Sequence, residues 1–197
     1  MSKHNPFAID RELIDARRLR RLFVFDIDHT LSNAAWRDNY IPRNGALALD
    51  SDWKEYHTRA VFDLPIAPIV VLFRALLDTP DCDIVICTAR PVTYAHLTKA
   101  WLARHVFEDS RGLSVPLLMR KDGCRLPSHI LKLAAVSAVV DERYTNGVEY
   151  AEITVIDDDE EVCAAFATTG ASVIRPIFNG HSHPGVFRGA GEALQRA

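Results

Sequence analysis

Apolar and polar positions follow two different patterns along the chain. Short apolar runs rich in valine, isoleucine and phenylalanine predict β-strands at 22–25, 83–87, 115–119, 153–156 and 171–174. Between them, apolar residues at helical spacing predict helices at 9–21, 67–77, 94–105, 127–140 and 160–169. This alternation predicts an α/β fold of three layers, with a mainly parallel sheet between helices on both faces.

One segment, residues 32–65, follows neither pattern and is predicted to form a small lid insertion. It is irregular but rich in aromatic residues, and we expect a helix near 52–61 within it. The whole chain, 1–197, is predicted to form a single domain around this insertion. Its glycine-rich end, residues 179–197, is predicted to be a loosely attached tail.

Composition and charge narrow the classes of protein to which the chain can belong. Hydrophobic residues make up 48% and charged residues 25%, which is typical of globular proteins and argues against long disordered segments. The net charge of -3 provides no overall attraction to nucleic acids, so any polyanion must be bound locally. No apolar stretch approaches the ~18 residues that a membrane span requires. The scattered cysteines exclude the usual zinc-binding spacings and indicate reduced thiols in the cytoplasm.

Pairs of carboxylates follow two of the predicted strands. Asp26 and Asp28 come directly after the first apolar run, and Asp157 and Asp158 come after the fourth. Unpaired carboxylates are costly to bury, whereas open α/β sheets bind ligands at the carboxyl ends of their parallel strands. Residues i and i+2 of an extended chain point to the same side, so Asp26 and Asp28 are expected to face one pocket. These oxygen ligands predict a Mg²⁺ site.

Two further elements carry groups that are suited to phosphate. Thr88 and Arg90 follow the predicted strand at 83–87, where a hydroxyl and a guanidinium can donate hydrogen bonds to phosphate oxygens. Lys132 lies in the helix that is predicted to begin at Pro127, and its ammonium is expected to approach the same pocket. Acids for a cation and donors for phosphate together predict phosphoryl-transfer chemistry.

In order along the chain, these residues resemble the four motifs of the haloacid dehalogenase (HAD) superfamily of phosphatases, which have a Rossmann-like α/β fold. The resemblance covers most of the chain, from about 22 to 174. It implies that Asp26 is the nucleophile and forms an aspartyl-phosphate, while Asp28 protonates the leaving oxygen and later activates water. It also implies that Thr88 and Lys132 hold the phosphoryl oxygens.

The resemblance also implies a set of metal ligands. The cation is expected to bind Asp26, the backbone carbonyl of Asp28, and Asp158, while Asp157 orients metal-bound water. Because Asp28 must gain and lose a proton during the reaction, its pKa is expected to lie closer to neutral than that of an ordinary carboxyl group.

The motifs also depart from the family pattern at two positions. His29 stands where the family usually has glycine, and it either tightens the following turn or contacts the substrate. With Thr30 and Arg90, it is expected to belong to the phosphate and substrate site. Ser128 stands four residues before Lys132, where an aspartate is common, so the partner role of that aspartate is left unassigned.

A narrower resemblance is to the phosphatase domain of phage-type polynucleotide kinase/phosphatases. It rests on Arg37, which stands where that group has an active-site arginine, and on the stretches 52–56, 63–65, 86–91, 98–102 and 117–120. The resemblance implies removal of phosphate from nucleotides or from 3'-phosphorylated ends of nucleic acids. No Walker-type phosphate loop occurs in the sequence, so no kinase half of that type is predicted.

The sequence leaves other functions open. Hydrolysis of a small non-nucleotide metabolite is one alternative, and the negative net charge supports it. A non-catalytic phosphate-binding module is another, although binding alone does not require an acid/base carboxylate at Asp28. Asp159 is interpreted as an acid that stabilises a helix N-terminus. No oligomeric state is predicted.

Overall fold

The structure, a computed structural model, describes residues 18–43, 48–49 and 51–177. Its strands are β1 (Arg18–Phe25), β2 (Ser32–Asn33), β3 (Leu64–Pro65), β4 (Cys82–Pro91), β5 (Leu117–Arg120), β6 (Val148–Ile156) and β7 (Ser172–Ile174). Five of them form a parallel sheet in the order β5-β4-β1-β6-β7. β1 therefore occupies the centre of the sheet. β4 and β5 lie on one side of it, and β6 and β7, which come later in the chain, lie on the other.

Helices connect the strands. They are α1 (Lys54–Thr58), α2 (Ala67–Leu77), α3 (Ala95–His105), α4 (Ser128–Thr145) and α5 (Glu160–Ala167). The α5 helix begins where Asp159 accepts hydrogen bonds from the backbone of Glu161 and Val162, which confirms the interpretation of Asp159 as an N-terminal residue. Among the described residues, no helix combines the length and apolarity needed to cross a membrane.

Alternate side chains of β1 enter two separate hydrophobic cores. Phe25 packs edge-on against Phe73 of α2, with ring centroids 5.2 Å apart, in a core that also contains Trp101 of α3. Leu22 and Val24 lie in the core on the opposite face, with α4 and α5. This is the period of two expected for a strand that is covered on both faces. The predicted three-layer α/β fold is confirmed.

The predicted helix at 9–21 is wrong where the structure describes it. Residues 18–21 belong to β1, where Arg18 pairs with Val148 and Arg21 pairs with Cys82. Backbone pairing with two neighbouring strands outweighs the intrinsic helical preference of arginine and leucine in this segment, as tertiary contacts often do. The rest of the predicted helix, and the predicted tail at 179–197, lie outside the described residues.

The segment predicted to be a lid leaves the sheet after β1 and returns before α2. Its two ends pair antiparallel as β2 and β3, with Ser32 opposite Pro65 and Asn33 opposite Leu64. Between them, α1 continues into a 3₁₀ turn at Arg59–Phe62, close to the helix that was predicted near 52–61. The indole of Trp101 donates a hydrogen bond of 2.8 Å to the backbone oxygen of Asp63, which joins the insertion to α3.

Candidate active site

The carboxyl ends of the three central strands meet at a cavity of about 800 Å³. The strand-end residues that line it are Asp26, Asp28, Thr88, Arg90, Asp157 and Asp158. They come together because Phe25 of β1 lies level with both Ile86 of β4 and Ile156 of β6 in the parallel register. This is the place where the strand order changes direction, and open α/β sheets bind ligands there.

Three carboxylates lie together at this edge and two of them contact one lysine, and we call these four residues the acid–lysine cluster. Its members are Asp26, Asp157, Asp158 and Lys132. Lys132 is buried in α4, and its Nζ lies 2.7 Å from Asp26 Oδ1 and 2.7 Å from Asp157 Oδ2. The lysine therefore takes its partners from β1 and β6, although Ser128 stands one turn before it instead of an acid.

The acid–lysine cluster has more negative than positive charge. Burial raises the pKa of Asp26 and of Asp157, and Lys132 offsets only part of that effect. Burial and the charge of Asp26 raise the pKa of Asp158 to about 6. Burial also disfavours the ammonium form of Lys132, but the two acids it contacts outweigh this and raise its pKa.

This donor set fits a divalent cation. One oxygen from each of Asp26, Asp157 and Asp158 lies within 4.8 Å of the others. With one ammonium against three ionised carboxylates, two negative charges remain to be neutralised. Hard oxygen ligands of this kind suit Mg²⁺. Asp26 and Asp158 would hold the ion together with the backbone carbonyl of Asp28, and Asp157, which contacts Lys132, would orient its water.

A second group of charges, the arginine cluster, joins the insertion to the sheet. It consists of Asp28, Arg37, Asp63 and Arg90. Arg37 Nε donates to both carboxylate oxygens of Asp63 at 2.9 and 3.0 Å, and its Nη2 donates to Asp28. Arg90 Nε lies 3.1 Å from each oxygen of Asp28, and its Nη2 lies 2.5 Å from Oδ1. Two guanidiniums thus balance two carboxylates.

The expected near-neutral pKa of Asp28 is wrong for this arrangement. Burial on its own would favour the protonated acid, but the charges of Arg90 and Arg37 outweigh it and lower the pKa of Asp28 well below its usual range. Both arginines are almost fully buried, so water screens these contacts little. Asp28 is therefore held as a carboxylate.

The remaining predicted residues lie at or behind the cavity wall. Thr88 lines the cavity, and its hydroxyl accepts a hydrogen bond of 3.3 Å from the backbone of Arg90. Thr30 is fully buried, is not part of the wall, and donates to Asp158 Oδ1 at 3.4 Å. Arg37 is likewise buried behind the wall. His29 lines the cavity with a φ of 59°, in the left-handed region that usually favours glycine.

Two groups of site residues were not predicted from the sequence. The first is Asp63, which is fully buried and also accepts hydrogen bonds from Trp36 and Ser32. The second is a set of aromatic side chains that line the cavity, Trp53, Tyr56, His57 and Tyr94. Asp63 lies in one of the stretches that carry the family resemblance, but its partners are distant in sequence and depend on how the insertion folds back.

The fold is shared with solved structures of low sequence identity. A chain of the Pnkp1/Rnl/Hen1 complex superposes with a TM-score of 0.57 at 18% identity, over 80% of this chain and 46% of that chain. The HAD domain of effector protein Lem4 from Legionella pneumophila gives 0.46 at 15% identity, over 91% and 94% of the two chains. Class C acid phosphatase from Bacillus anthracis gives 0.49 at 10% identity, over 95% and 67%.

These likenesses concern the fold. No protein-family model matches the sequence, and no curated protein matches it significantly. The chain spans less than half the length of its neighbour in the Pnkp1/Rnl/Hen1 complex. The Rossmann-type, mainly parallel α/β architecture predicted from the sequence is confirmed.

Proposed function

We propose that this HAD-like chain is a Mg²⁺-dependent phosphomonoester hydrolase that works through an aspartyl-phosphate on Asp26. The acid–lysine cluster carries the proposal. Asp26 lines the cavity, is oriented by Lys132 at 2.7 Å, and lies beside two further carboxylates that fit a cation. A bound Mg²⁺ would neutralise negative charge on the phosphoryl oxygens.

In the first half of the reaction, a carboxylate oxygen of Asp26 attacks phosphorus in line with the leaving oxygen. The new bond joins Asp26 to phosphorus, and the bond from phosphorus to the leaving oxygen breaks. The leaving oxygen takes a proton from Asp28 and departs as an alcohol. A substrate phosphate that shared Arg90 with Asp28 would weaken the ion pair and raise the pKa of Asp28, so that Asp28 takes up this proton from solvent before the attack.

In the second half, Asp28 acts as a general base. It takes a proton from water, whose oxygen attacks phosphorus, and the bond between Asp26 and phosphorus breaks. Inorganic phosphate leaves, and Asp26 returns as a carboxylate. Arg37 and Arg90, which lower the pKa of Asp28, favour the ionised form that this half requires.

Nucleotides or 3'-phosphorylated ends of nucleic acids are the proposed substrates. A cavity of about 800 Å³ exceeds what a phosphate group alone requires and lies within the range of small-molecule sites. One structural neighbour belongs to an assembly described as an RNA repair complex, which is in keeping with such a substrate. A small phosphorylated metabolite is the alternative, favoured by the net charge of -3. A cytoplasmic location is proposed, in keeping with four free cysteines.

A panel of substrates tests the proposed activity. Phosphate release would be measured from an aryl phosphate, from nucleoside 3'- and 5'-monophosphates, and from a 3'-phosphorylated oligonucleotide, each with and without Mg²⁺. We expect Mg²⁺-dependent release from the nucleotide or oligonucleotide substrates. Release from none of them would overturn the proposal, and release from the aryl phosphate alone would favour the metabolite alternative.

The nucleophile can be identified separately from the substrate. Asp26→Asn is expected to lower turnover at least about 10³-fold, because the amide can neither attack phosphorus nor complete the cation site. Acid quenching during turnover should leave the mass of one phosphoryl group on the wild-type peptide that contains Asp26. Asp141→Asn, which changes an exposed acid of α4, is the matched control. A phosphoryl group on another peptide would refute the assignment.

A further inference from the structure

Three aromatic rings form one wall of the cavity, and we call them the aromatic wall. They belong to Trp53 and His57 in the insertion and to Tyr94 after β4. The rings of Trp53 and His57 lie 5.9 Å apart with an angle of 28° between their planes. Those of His57 and Tyr94 lie 5.0 Å apart with an angle of 32°. His57 therefore packs beside both other rings, and all three residues line the cavity.

The aromatic wall is not part of either hydrophobic core. Trp53 and Tyr94 are only half-buried, and both line the same cavity as Asp26 and Asp28. Tyr94 follows Arg90 by four residues, so the wall adjoins the end of the cavity that holds the arginine cluster. A phosphate group bound near Asp26 would leave this aromatic end for the rest of the substrate.

His57 adds a polar atom to the wall. Its Nδ1 is buried and has no hydrogen-bond partner among the residues that the structure describes. Burial, together with the charges of Arg90 and Arg37, lowers the pKa of His57 to about 4, so the ring is neutral near pH 7. A neutral imidazole can donate or accept one hydrogen bond, depending on its tautomer.

We propose that the aromatic wall is a stacking subsite for the nucleobase next to the phosphate that is removed. The proposal rests on the proposed function. It assigns base binding to the end of the cavity that the phosphoryl transfer does not use. Planar bases stack on aromatic side chains with little regard for sequence, and each such contact contributes about tenfold to affinity. The subsite therefore selects for the presence of a base and not for a particular base.

Selectivity for the base gives a direct test. The substrates are a 3'-phosphorylated oligonucleotide and the same oligonucleotide with an abasic 3'-terminal nucleotide. The readout is the ratio of the two kcat/KM values, because a general loss of activity cancels in it. Wild-type protein is expected to prefer the base-bearing substrate. Trp53→Leu and Tyr94→Leu are each expected to lower the ratio about tenfold.

Two matched variants separate stacking from structural damage. Phe62→Leu removes an aromatic ring that is 72% exposed on the insertion and does not line the cavity, so the wild-type ratio should be retained. Trp53→Phe keeps an aromatic face and should restore much of the ratio that Trp53→Leu loses. Equal rates on the two substrates in the wild type, or ratios that both leucine variants leave unchanged, would overturn the proposal.

Binding distinguishes failure of this subsite from failure of the proposed function. Asp26→Asn protein would be titrated with adenosine 3'-monophosphate, adenosine 5'-monophosphate and ribose 5-phosphate. We expect at least one nucleotide to bind about tenfold more tightly than the sugar phosphate, and Tyr94→Leu to remove the difference. That result would support the subsite even if the wild type released no phosphate. Equal binding of all three ligands, beside measurable phosphatase activity, would refute the subsite alone.

Discussion

The acid–lysine cluster and the arginine cluster begin two residues apart, at Asp26 and Asp28, yet their charges are arranged in opposite ways. Asp26 shares a single lysine with another carboxylate, and burial raises its pKa. Asp28 faces two guanidiniums, which lower its pKa. Both side chains come from the same strand end, so their partners on other elements make the difference.

This difference separates a site for a cation from a group of charges that are balanced within the protein. The acid–lysine cluster is left with an excess of negative charge, which a divalent cation can neutralise. The arginine cluster is balanced within the protein, with Arg37 and Asp63 fully buried. Balanced buried pairs are costly to break, because the remaining partner is left as an uncompensated charge. Metal binding should therefore raise the free energy of unfolding through the acid–lysine cluster. Removing one charged partner should lower it most in the arginine cluster.

The largest expected effect on stability comes from breaking the arginine cluster. Asp63→Asn removes the charge that faces Arg37, and we expect the free energy of unfolding to fall by about 3–5 kcal/mol. Urea denaturation followed by circular dichroism would measure it. Glu55→Gln breaks an exposed pair with Arg59 in the same insertion and should cost no more than about 0.5 kcal/mol. Equal losses of stability in the two variants would contradict the expected difference between the buried and the exposed ion pair.

Much of the acid–lysine cluster was predictable, because strand periodicity and parallel topology fix where strand ends meet. Asp26 and Asp157 follow apolar runs, and their meeting requires only that the two strands be neighbours. The arginine cluster was harder to predict. Arg37 and Asp63 both lie at positions that carry the family resemblance. The insertion that brings them together has no hydrophobic periodicity from which its path could be predicted.

The start of β1 escaped prediction for a related reason. Arg20 makes two hydrogen bonds to Asp83, at 2.7 and 3.0 Å, so its charge is paired although it lies in a central strand. Asp83 also accepts a hydrogen bond from Tyr150. Polar residues with distant partners carry no local sign of a strand, and the arginine-rich run was therefore interpreted as helical.

The second-largest expected effect is the increase in stability that Mg²⁺ gives through the acid–lysine cluster. Mg²⁺ at about 100 times its dissociation constant is expected to raise the free energy of unfolding by about 2.7 kcal/mol, because it binds only the folded acid–lysine cluster. Thermal melts with and without MgCl₂ would show the increase, and Asp158→Asn should lose it. Asp159→Asn removes the adjacent acid but keeps a side-chain oxygen that can accept the hydrogen bonds at the start of α5, so the response to Mg²⁺ should persist. A response that survives in Asp158→Asn would contradict the proposed ligand set.

The dependence of the free energy of unfolding on pH should reveal how Arg37 and Arg90 affect the neighbouring His57. The pKa of His57 is lowered from 6.5 to about 4 by burial and by Arg90 and Arg37, so between these pH values the unfolded chain binds more protons. The contribution of His57 to the free energy of unfolding should therefore fall by about 2–3 kcal/mol as the pH drops from 6.5 to 4. Asp26 and Asp158 contribute in the opposite direction, because their raised pKa values favour proton uptake by the folded protein. In metal-free urea titrations at several pH values, the slope of His57→Phe should differ from that of the wild type by the His57 contribution, whereas His96→Phe, on exposed α3 surface, should keep the wild-type slope. Parallel slopes in wild type and His57→Phe would refute this account.

The smallest expected effect concerns His29, which lies between Asp28 of one cluster and Thr30, whose hydroxyl contacts Asp158 of the other. A side chain in the left-handed region costs about 1–2 kcal/mol, and glycine avoids this cost but loses more chain entropy on folding. His29→Gly also removes the contact of 3.1 Å between the imidazole and Asp38. The opposing terms predict a free energy of unfolding within about 1 kcal/mol of wild type.

His29→Val is the matched variant, because it loses the same contact but keeps a β-branched side chain at a φ of 59°. It should be less stable than His29→Gly by about 1–2 kcal/mol in urea denaturation. That ordering would show that the backbone turn, and not the imidazole, fixes the spacing of the two clusters. If glycine and valine destabilised the protein equally, the contact with Asp38 would instead be the feature that holds this turn.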